Sequence, residues 1–168
     1  SQEEKILALS GDMAQAPRYI FSMINDADIK FPAIADDKGR KVELTKGNYI
    51  KFMENRDRKV RKKAFTQLYK TYRQQKNTIA STLSFSVKKD LFFAQTRQYS
   101  SSLEMALFED NIPLSVYDNL IDSVHQYLPS LHQYIDIKKQ ALGQKKLHAY
   151  DLYVPLAEEM QDAYSYPQ

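Results

Sequence analysis

Hydrophobic positions recur every three or four residues along most of the chain, the spacing of one face of an α-helix. The longest run contains no Gly or Pro, and its only gap falls at Lys76. Its apolar members are Val60, Ala64, Phe65, Leu68, Tyr72, Ile79, Leu83, Val87, Leu91 and Ala94. This run predicts one helix of about 40 residues. Shorter runs predict helices near residues 2–9 and 13–25, separated by a C-terminal cap at Gly11, and a further helix that begins after Thr45.

The second half of the chain contains two more helical patterns. A short helix is expected to follow a cap at Ser101 or Ser102, and a longer one extends from Pro113 to Gly143. Pro129 lies inside the longer pattern and is expected to bend it, because proline removes one hydrogen bond of the helix.

Two stretches alternate between apolar and polar positions, as strands do. Residues 34–44 alternate around a turn at 36–39 and predict a small β-hairpin. Residues 147–154 alternate up to Pro155 and predict an extended segment. The pattern as a whole predicts a mainly α fold, a long-helix array with a small β-hairpin and a short extended segment.

Composition removes several classes of function. The chain has 168 residues, no Cys and only four widely spaced Gly residues. It therefore has no disulfide framework, no thiolate metal site, and neither a dinucleotide-binding fingerprint nor a P-loop. No stretch reaches the roughly 18 apolar residues of a membrane span, and no secretion signal is visible. We expect a cytoplasmic location, and the absence of an initial Met fits excision from a longer protein.

Charge is distributed unevenly along the chain. The formal net charge is +3, while residues 56–63 contain six bases and one acid, and residues 150–168 contain four acids and no base. The basic run fits either a phosphate or nucleic-acid contact or the solvated side of the long helix, lined by Arg58, Arg61 and Lys62. Because no aromatic residues interleave with the bases, we favour the solvated side and expect no nucleic-acid partner.

No familiar catalytic motif is present. His125 and His132 are two helical turns apart and could share a face, but a zinc site needs about three converging ligands. The chain contains neither His-Glu-x-x-His nor Gly-x-Ser-x-Gly. The adjacent acids at 36–37 and 158–159 are interpreted as solvated pairs. Four tyrosines crowd the last 19 residues and fit either a peptide or sugar contact or packing at a domain seam; they are Tyr150, Tyr153, Tyr164 and Tyr166.

Three stretches resemble a known family. They are DADIKFP at 26–32, LTKGNYIKFMENRDRKVRKKAF at 44–65 and HAYDLYVPL at 148–156. All three are similar to the oligoendopeptidases F of the zinc-dependent thimet-oligopeptidase family, and the similarity extends over nearly the whole chain. The resemblance implies part of a larger two-lobed helical zincin-type peptidase, whose deep channel admits short peptides and whose His-Glu-x-x-His helix holds zinc.

The resemblance also implies what this chain lacks. The matching region ends before the zinc motif, so we assign no catalytic or metal-binding residue and expect the 168-residue piece to bind no zinc and to be inactive alone. Residues 1–44 resemble the end of the N-terminal region, with a β-hairpin, and residues 45–168 the first part of the catalytic domain. The parent enzyme is expected to take zinc as cofactor and short peptides as partners, with no membrane partner.

The resemblance gives three candidate residues of the substrate channel: His148, Tyr150 and Tyr153. We expect the extended 148–156 segment to lie against the edge of the sheet beside the channel. Truncation should expose apolar surface, so the piece is expected to form a homodimer. Two alternatives remain: a stand-alone helical interaction module, and a phosphate- or nucleic-acid-binding domain that uses residues 56–63.

Overall fold

The computed structural model describes residues 1–157. The acidic residues Glu158, Glu159 and Asp162 and the tyrosines Tyr164 and Tyr166 lie outside the described residues. The described part has seven α-helices: α1 (Gln2–Ala14), α2 (Ala16–Ser22), α3 (Lys46–Glu54), α4 (Arg58–Gln74), α5 (Lys76–Thr96), α6 (Ser102–Phe108) and α7 (Leu114–Ala141). It also has a π-helical turn (Met23–Asp28), a 3-10 turn (Ala149–Asp151) and two short strands, β1 (Ala33–Ala35) and β2 (Lys41–Glu43). The predicted mainly helical fold with a small hairpin is confirmed.

The chain forms two compact units. The first unit contains residues 1–30 and 69–128, and the second contains residues 31–68 and the chain from 129 onward. Both α4 and α7 contribute residues to each unit. The predicted division at residue 44 concerns regions of longer proteins and stays a prediction.

In the first unit, α1 begins at a capping box. The Ser1 hydroxyl accepts the Glu4 backbone N–H, and the terminal ammonium donates to the Glu4 carboxylate. The predicted end at Gly11 is wrong, because α1 continues to Ala14 and the interruption falls at Gln15. Pro17 explains this position, since its ring excludes a continuous helix through the preceding turn.

A second interruption divides the long helix expected after Val60. The backbone of Gln75 has φ −100° and ψ 11°, and its N–H donates to the Tyr72 carbonyl at 3.0 Å. The prediction of one continuous helix is therefore wrong at a single residue, next to the gap in the apolar pattern at Lys76. The Tyr72 hydroxyl donates to Asn25 Oδ1 at 2.9 Å and joins α4 to the π-helical turn.

The second unit starts with the hairpin. Strands β1 and β2 are antiparallel, with Ile34 opposite Val42. In the turn, the Asp36 carboxylate accepts the backbone N–H groups of Lys38 and Arg40, each at 2.9 Å, and Gly39 takes a left-handed conformation with φ +75°. The core of this unit includes Ile34, Leu44 and Met53, each 1% exposed.

Side-chain caps begin the two helices that follow the hairpin. The Thr45 hydroxyl accepts the Asn48 backbone N–H at 3.1 Å, and the Asn48 side chain accepts the Thr45 N–H at 2.8 Å, so the predicted start of α3 is confirmed. The Asp57 carboxylate accepts the Lys59 N–H at 2.8 Å at the start of α4. This cap fixes where α4 begins and therefore where its first basic residues lie.

The end of α7 is also as predicted. Gly143 has φ +61°, its N–H donates to the Gln140 carbonyl, and the Gln144 N–H donates to the Lys139 carbonyl. This is a Schellman cap. Pro129 lies inside α7, and the bend expected there stays a prediction. None of the described helices combines the length and the apolar character needed to cross a membrane.

The extended segment predicted after α7 is wrong. The chain forms the 3-10 turn followed by bends, and the sheet of the described residues contains only β1 and β2. The Asp151 N–H donates to the His148 carbonyl at 2.8 Å, a local closure that an extended strand cannot make. Burial does not alternate along this stretch, because Tyr150, Asp151 and Val154 are buried whereas Leu152 and Tyr153 are exposed.

Candidate functional site

Asp151 is the centre of a hydrogen-bonded cluster in the second unit, and its side chain is fully buried. Its Oδ1 atom accepts hydrogen bonds from Arg58 Nε at 3.0 Å and from Arg61 Nη2 at 2.8 Å. Its Oδ2 atom accepts from Arg58 Nη2 at 2.9 Å and from the His148 backbone N–H at 3.0 Å. A buried carboxylate needs such partners, because burial removes its hydration.

Arg61 joins the Asp151 carboxylate to the backbone before α4 and to the backbone of the 3-10 turn. The side chain is 3% exposed. Its Nε donates to the Tyr150 carbonyl at 3.0 Å, and its Nη1 donates to the carbonyls of Asn55 and Arg56 at 2.7 and 2.9 Å. The planar guanidinium therefore fixes the turn before α4 and the turn after α7 with one rigid fork of donors.

Aromatic rings extend the cluster. The Tyr150 ring meets Phe65 edge to face at a centroid distance of 5.7 Å, and His148 stacks on it at 5.0 Å. The Arg58 guanidinium carbon lies 5.5 Å from the centre of the Tyr150 ring. Tyr150 therefore supports the 3-10 turn by packing as well as through its backbone.

Further basic side chains hold the residues around the turn. Lys138 of α7 is 4% exposed, and its Nζ donates to the Leu152 carbonyl at 2.5 Å. Arg58 Nη2 donates to the Lys146 carbonyl at 3.0 Å, and Arg56 Nη2 reaches the Ala157 carbonyl at 3.4 Å. The stretch 146–157, which we call the clamped segment, is thus held by basic residues from two helices and the turn before α4.

The charge of Asp151 follows from these contacts. Burial alone raises the pKa of a carboxyl group, because it disfavours the charged form. Here the hydrogen bonds from Arg58 and Arg61, and then the one from the His148 backbone, outweigh burial and lower the pKa of Asp151 from 3.8 to about 2. The hydrogen bond to Asp151 in turn raises the pKa of Arg58. The carboxylate is therefore charged at neutral pH.

We expect the stability of the chain to fall in acid because Asp151 titrates. Its folded pKa, about 2, lies below the ordinary value of 3.8, so the unfolded chain takes up the proton first as the pH falls. The contribution is complete above about pH 5 and is lost towards pH 2, an effect of about 2 kcal/mol. Urea unfolding followed by circular dichroism at several pH values measures it. The Asp151→Asn variant should lack this part of the loss, and equal acid sensitivity in both proteins would contradict the assignment.

The structure separates the three predicted channel residues. Tyr150 is buried in the cluster, whereas His148 is exposed beside it and Tyr153 is 55% exposed. The expectation that Arg58 and Arg61 line the solvent side of the helix is wrong, since both bind Asp151. Sequence reasoning also missed the buried Lys138. The sequence does contain a signal for the burial of Arg61. It lies three and seven residues before Ala64 and Leu68, and therefore on the buried face of the helix.

The zinc of the resembled family has no place among these residues. His125 and His132 are both exposed on α7. Within residues 1–157, no three His, Cys, Asp or Glu side chains group in a way that could hold a metal ion. The residues present therefore do not fit a zinc site.

The fold and the sequence identify the class to which the chain belongs. The model of Peptidase family M3 matches residues 51–168, more than half of the chain, and the chain belongs to this family. The predicted relationship to oligoendopeptidases F is confirmed by individual relatives. The chain is 46% identical over 158 residues to Oligopeptidase PepF of Bacillus subtilis, covering 94% of this chain and 24% of the relative. It is 41% identical to an oligoendopeptidase F homolog of Lactococcus lactis, covering 93% of this chain and 26% of that one.

Solved structures give the same relationship. The oligoendopeptidase-F of Enterococcus faecium superposes with a TM-score of 0.91 at 42% identity, covering 95% of this chain and 31% of that chain. A structure from Chlamydophila abortus, described as that of a putative peptidase, superposes with a TM-score of 0.88 at 32% identity. The match covers 95% of this chain and 27% of that chain. The chain therefore spans only 24 to 31% of the length of these relatives.

Proposed function

We propose that this chain forms part of a longer zinc-dependent oligopeptidase that hydrolyses short peptides in a deep channel. The observation that carries the proposal is the superposition of 95% of the chain on only 31% of an oligoendopeptidase-F, with a TM-score of 0.91. In this proposal the zinc, its ligands and the general base come from polypeptide outside these 168 residues. The chain contributes scaffold and channel wall.

Several finer assignments belong to the same proposal. Residues 1–44 end the N-terminal region and residues 45–168 begin the catalytic domain, a division compatible with a family match that starts at residue 51. The substrates are short peptides. The enzyme acts in the cytoplasm, which the absence of Cys allows.

A segment exchange tests the proposal. In Bacillus subtilis PepF, the stretch that aligns with this chain is replaced by this sequence, and cleavage of short peptides and bound zinc are measured. We expect the exchanged enzyme to bind zinc and keep its activity within about tenfold of the parent, because a scaffold at 46% identity should preserve the surrounding packing.

The matched control is the 168-residue chain alone, which should bind no zinc and cleave no peptide. Activity in the chain alone would contradict the proposal, as would a well-folded exchanged enzyme that fails to cleave. A stop codon directly after Gln168 in the coding sequence would favour the alternative of a stand-alone helical module.

Tyr153 and His148 are the proposed peptide contacts on the clamped segment. Both side chains are exposed, and the Tyr150 ring stacks on His148 and supports it. In the exchanged enzyme, Tyr153→Ala should lower kcat/KM for short peptides by roughly tenfold through the loss of contact area. Tyr127→Ala, another exposed tyrosine, serves as the control. Equal kcat/KM for all three enzymes over several peptides would remove Tyr153 from the channel.

We also propose that the isolated chain self-associates as the homodimer expected from truncation. The side chains of Leu83, Val87 and Leu91 are exposed at successive turns of α5, with exposed fractions of 66, 50 and 47%. Such apolar rows on soluble proteins usually contact another surface. Sedimentation velocity over a concentration series tests this proposal, and a monomer throughout the series would contradict it.

A further inference from the structure

The first half of α7, residues 114–128, belongs to the first unit. Residues 114–127 are all exposed, although they form several turns of regular helix. The apolar side chains of Leu120 and Val124 are 62 and 53% exposed. A helix without packing is only marginally stable in water, because most helix stability in proteins comes from burial of an apolar face. This half of α7 therefore needs a cover that residues 1–157 do not provide.

The apolar residues of this half form one stripe along the helix. Their spacing of three and four residues places them within about 100° of the helix circumference. The members of the stripe are Tyr117, Leu120, Ile121, Val124 and Leu128. Asn119 and Gln126 lie on the opposite side of the helix. A stripe of this width is typical of a helix that faces the core of a bundle.

Acidic residues follow one flank of this stripe. Asp118 and Asp122 lie on the same side of it, and residues 114–128 contain no Lys or Arg. The two carboxylates are four residues apart and repel each other. Neither has an ion-pair partner in the part of the chain that the structure describes. Because opposite charges across an interface select and orient a partner, the face fits an apolar helix that has Lys or Arg along one flank.

Two sources of such a helix can be compared. A second copy of residues 114–128 would supply an apolar stripe but no base. The longer protein would supply much more polypeptide, because this chain spans only 24 to 31% of the length of its relatives. The charge of the face and the missing length both favour the longer protein as the source.

We propose that the apolar stripe of residues 114–128 packs against a helix of the longer protein, from outside these 168 residues, that carries bases along one flank. The bases lie beside Asp118 and Asp122 in this arrangement. The assignment of the helix to the same protein rests on the proposed function, whereas the apolar and basic character of the helix does not.

Thiol labelling tests this packing, because the chain has no Cys and an introduced one is its single thiol. Val124→Cys places the thiol in the stripe. Gln126→Cys is the matched control on the opposite side, and both positions are exposed in this chain. Both thiols should react with a maleimide at similar rates in the 168-residue chain. In the exchanged enzyme, mass spectrometry of peptides should show labelling at least tenfold slower at position 124 and unchanged at position 126.

Three other results would overturn the proposal. Equal labelling of position 124 in the exchanged enzyme and in the 168-residue chain would show that nothing covers the stripe. Equal slowing at positions 124 and 126 would show that the whole helix is enclosed, without a preferred face. Slowing at position 124 that grows with the concentration of the 168-residue chain would identify a second copy as the occupant.

Asp118→Lys tests the charge of the packed helix. In the exchanged enzyme this substitution should speed labelling of position 124 by about fivefold, relative to its effect in the 168-residue chain, because like charges replace an ion pair. Asn119→Lys is the matched control, since it introduces the same side chain on the opposite side of the helix. Equal effects of the two substitutions would overturn the assignment of bases to the partner.

Peptide cleavage by the exchanged enzyme separates this inference from the proposed function. An active enzyme that is labelled equally at positions 124 and 126 would overturn the packing and leave the oligopeptidase proposal intact. A folded but inactive enzyme that is protected at position 124 alone would support the packing and count against the proposed function.

Discussion

Replacement of Asp151 by alanine is expected to lower the free energy of unfolding of the second unit by roughly 3–5 kcal/mol, the effect of removing one partner from a buried ion pair. The substitution leaves Arg61, which is 3% exposed, without its counter-charge in a place that water does not reach. It also deprives the His148 backbone N–H and two Arg58 donors of their acceptor. Because domains are stable by only about 5–15 kcal/mol, this loss should be visible as partial unfolding.

The measurement must report on the second unit, since the two units need not unfold together. Hydrogen exchange of the α3 amides provides such a local probe, and urea unfolding gives the overall change. Asp136→Ala is the matched control, because that acid is exposed and its Oδ1 lies 3.5 Å from Lys139 Nζ. We expect the control to change stability by less than about 1 kcal/mol. Equal changes in the free energy of unfolding for the two substitutions would show that the buried ion pairs of Asp151 do not stabilise the second unit.

The features predicted correctly are those set by residues close in sequence. The caps at Thr45 and Gly143 depend on contacts within five residues, and the hairpin turn depends on Asp36 and Gly39. The two errors in helix continuity concern the residue at which a helix is interrupted. The spacing of apolar positions does not determine that residue. At the first, the break lies next to Pro17 rather than at Gly11, because proline removes a helical hydrogen bond and crowds the preceding turn, whereas glycine only lowers helix propensity.

The error after α7 has a different cause. Alternating apolar positions predict a strand only when a neighbouring strand can pair with it, and the described sheet provides β1 and β2 alone. The clamped segment instead satisfies its carbonyls with basic side chains of α4 and α7. Burial along the bent chain therefore follows these contacts and not a strand period: Tyr150, Asp151 and Val154 are buried, and Leu152 is exposed.

The sequence points to the stretch HAYDLYVPL, which contains the centre of the candidate site, while a channel role for His148, Tyr150 and Tyr153 stays a prediction. Its organising residue, Asp151, was missed because its partners Arg58 and Arg61 are about ninety residues away in sequence. The bases in a run of six are normally solvated. Arg61 differs from Lys62 only in its spacing, because it lies three and seven residues before the buried Ala64 and Leu68 and therefore on their face of the helix.

Replacement of Arg61 by lysine tests whether the fork of donors, rather than the positive charge, holds the cluster. Lysine keeps the charge, but its ammonium cannot reach the Tyr150, Asn55 and Arg56 carbonyls and the Asp151 carboxylate together. At least one buried acceptor loses its donor, and each such loss costs about 1–3 kcal/mol. We therefore expect a total loss of roughly 2–4 kcal/mol in urea unfolding.

Arg58→Lys is the informative comparison for Arg61→Lys, because both arginines bind the same carboxylate. The Arg58 side chain is 36% exposed, so water can replace a donor lost there, whereas it cannot do so at Arg61. The expected loss for Arg58→Lys is therefore clearly smaller than that for Arg61→Lys. If the two variants are equally destabilised, charge alone stabilises the cluster. If Arg61→Lys is clearly worse, as we expect, the geometry of one buried guanidinium joins the turn before α4 to the turn that carries His148 and Tyr153.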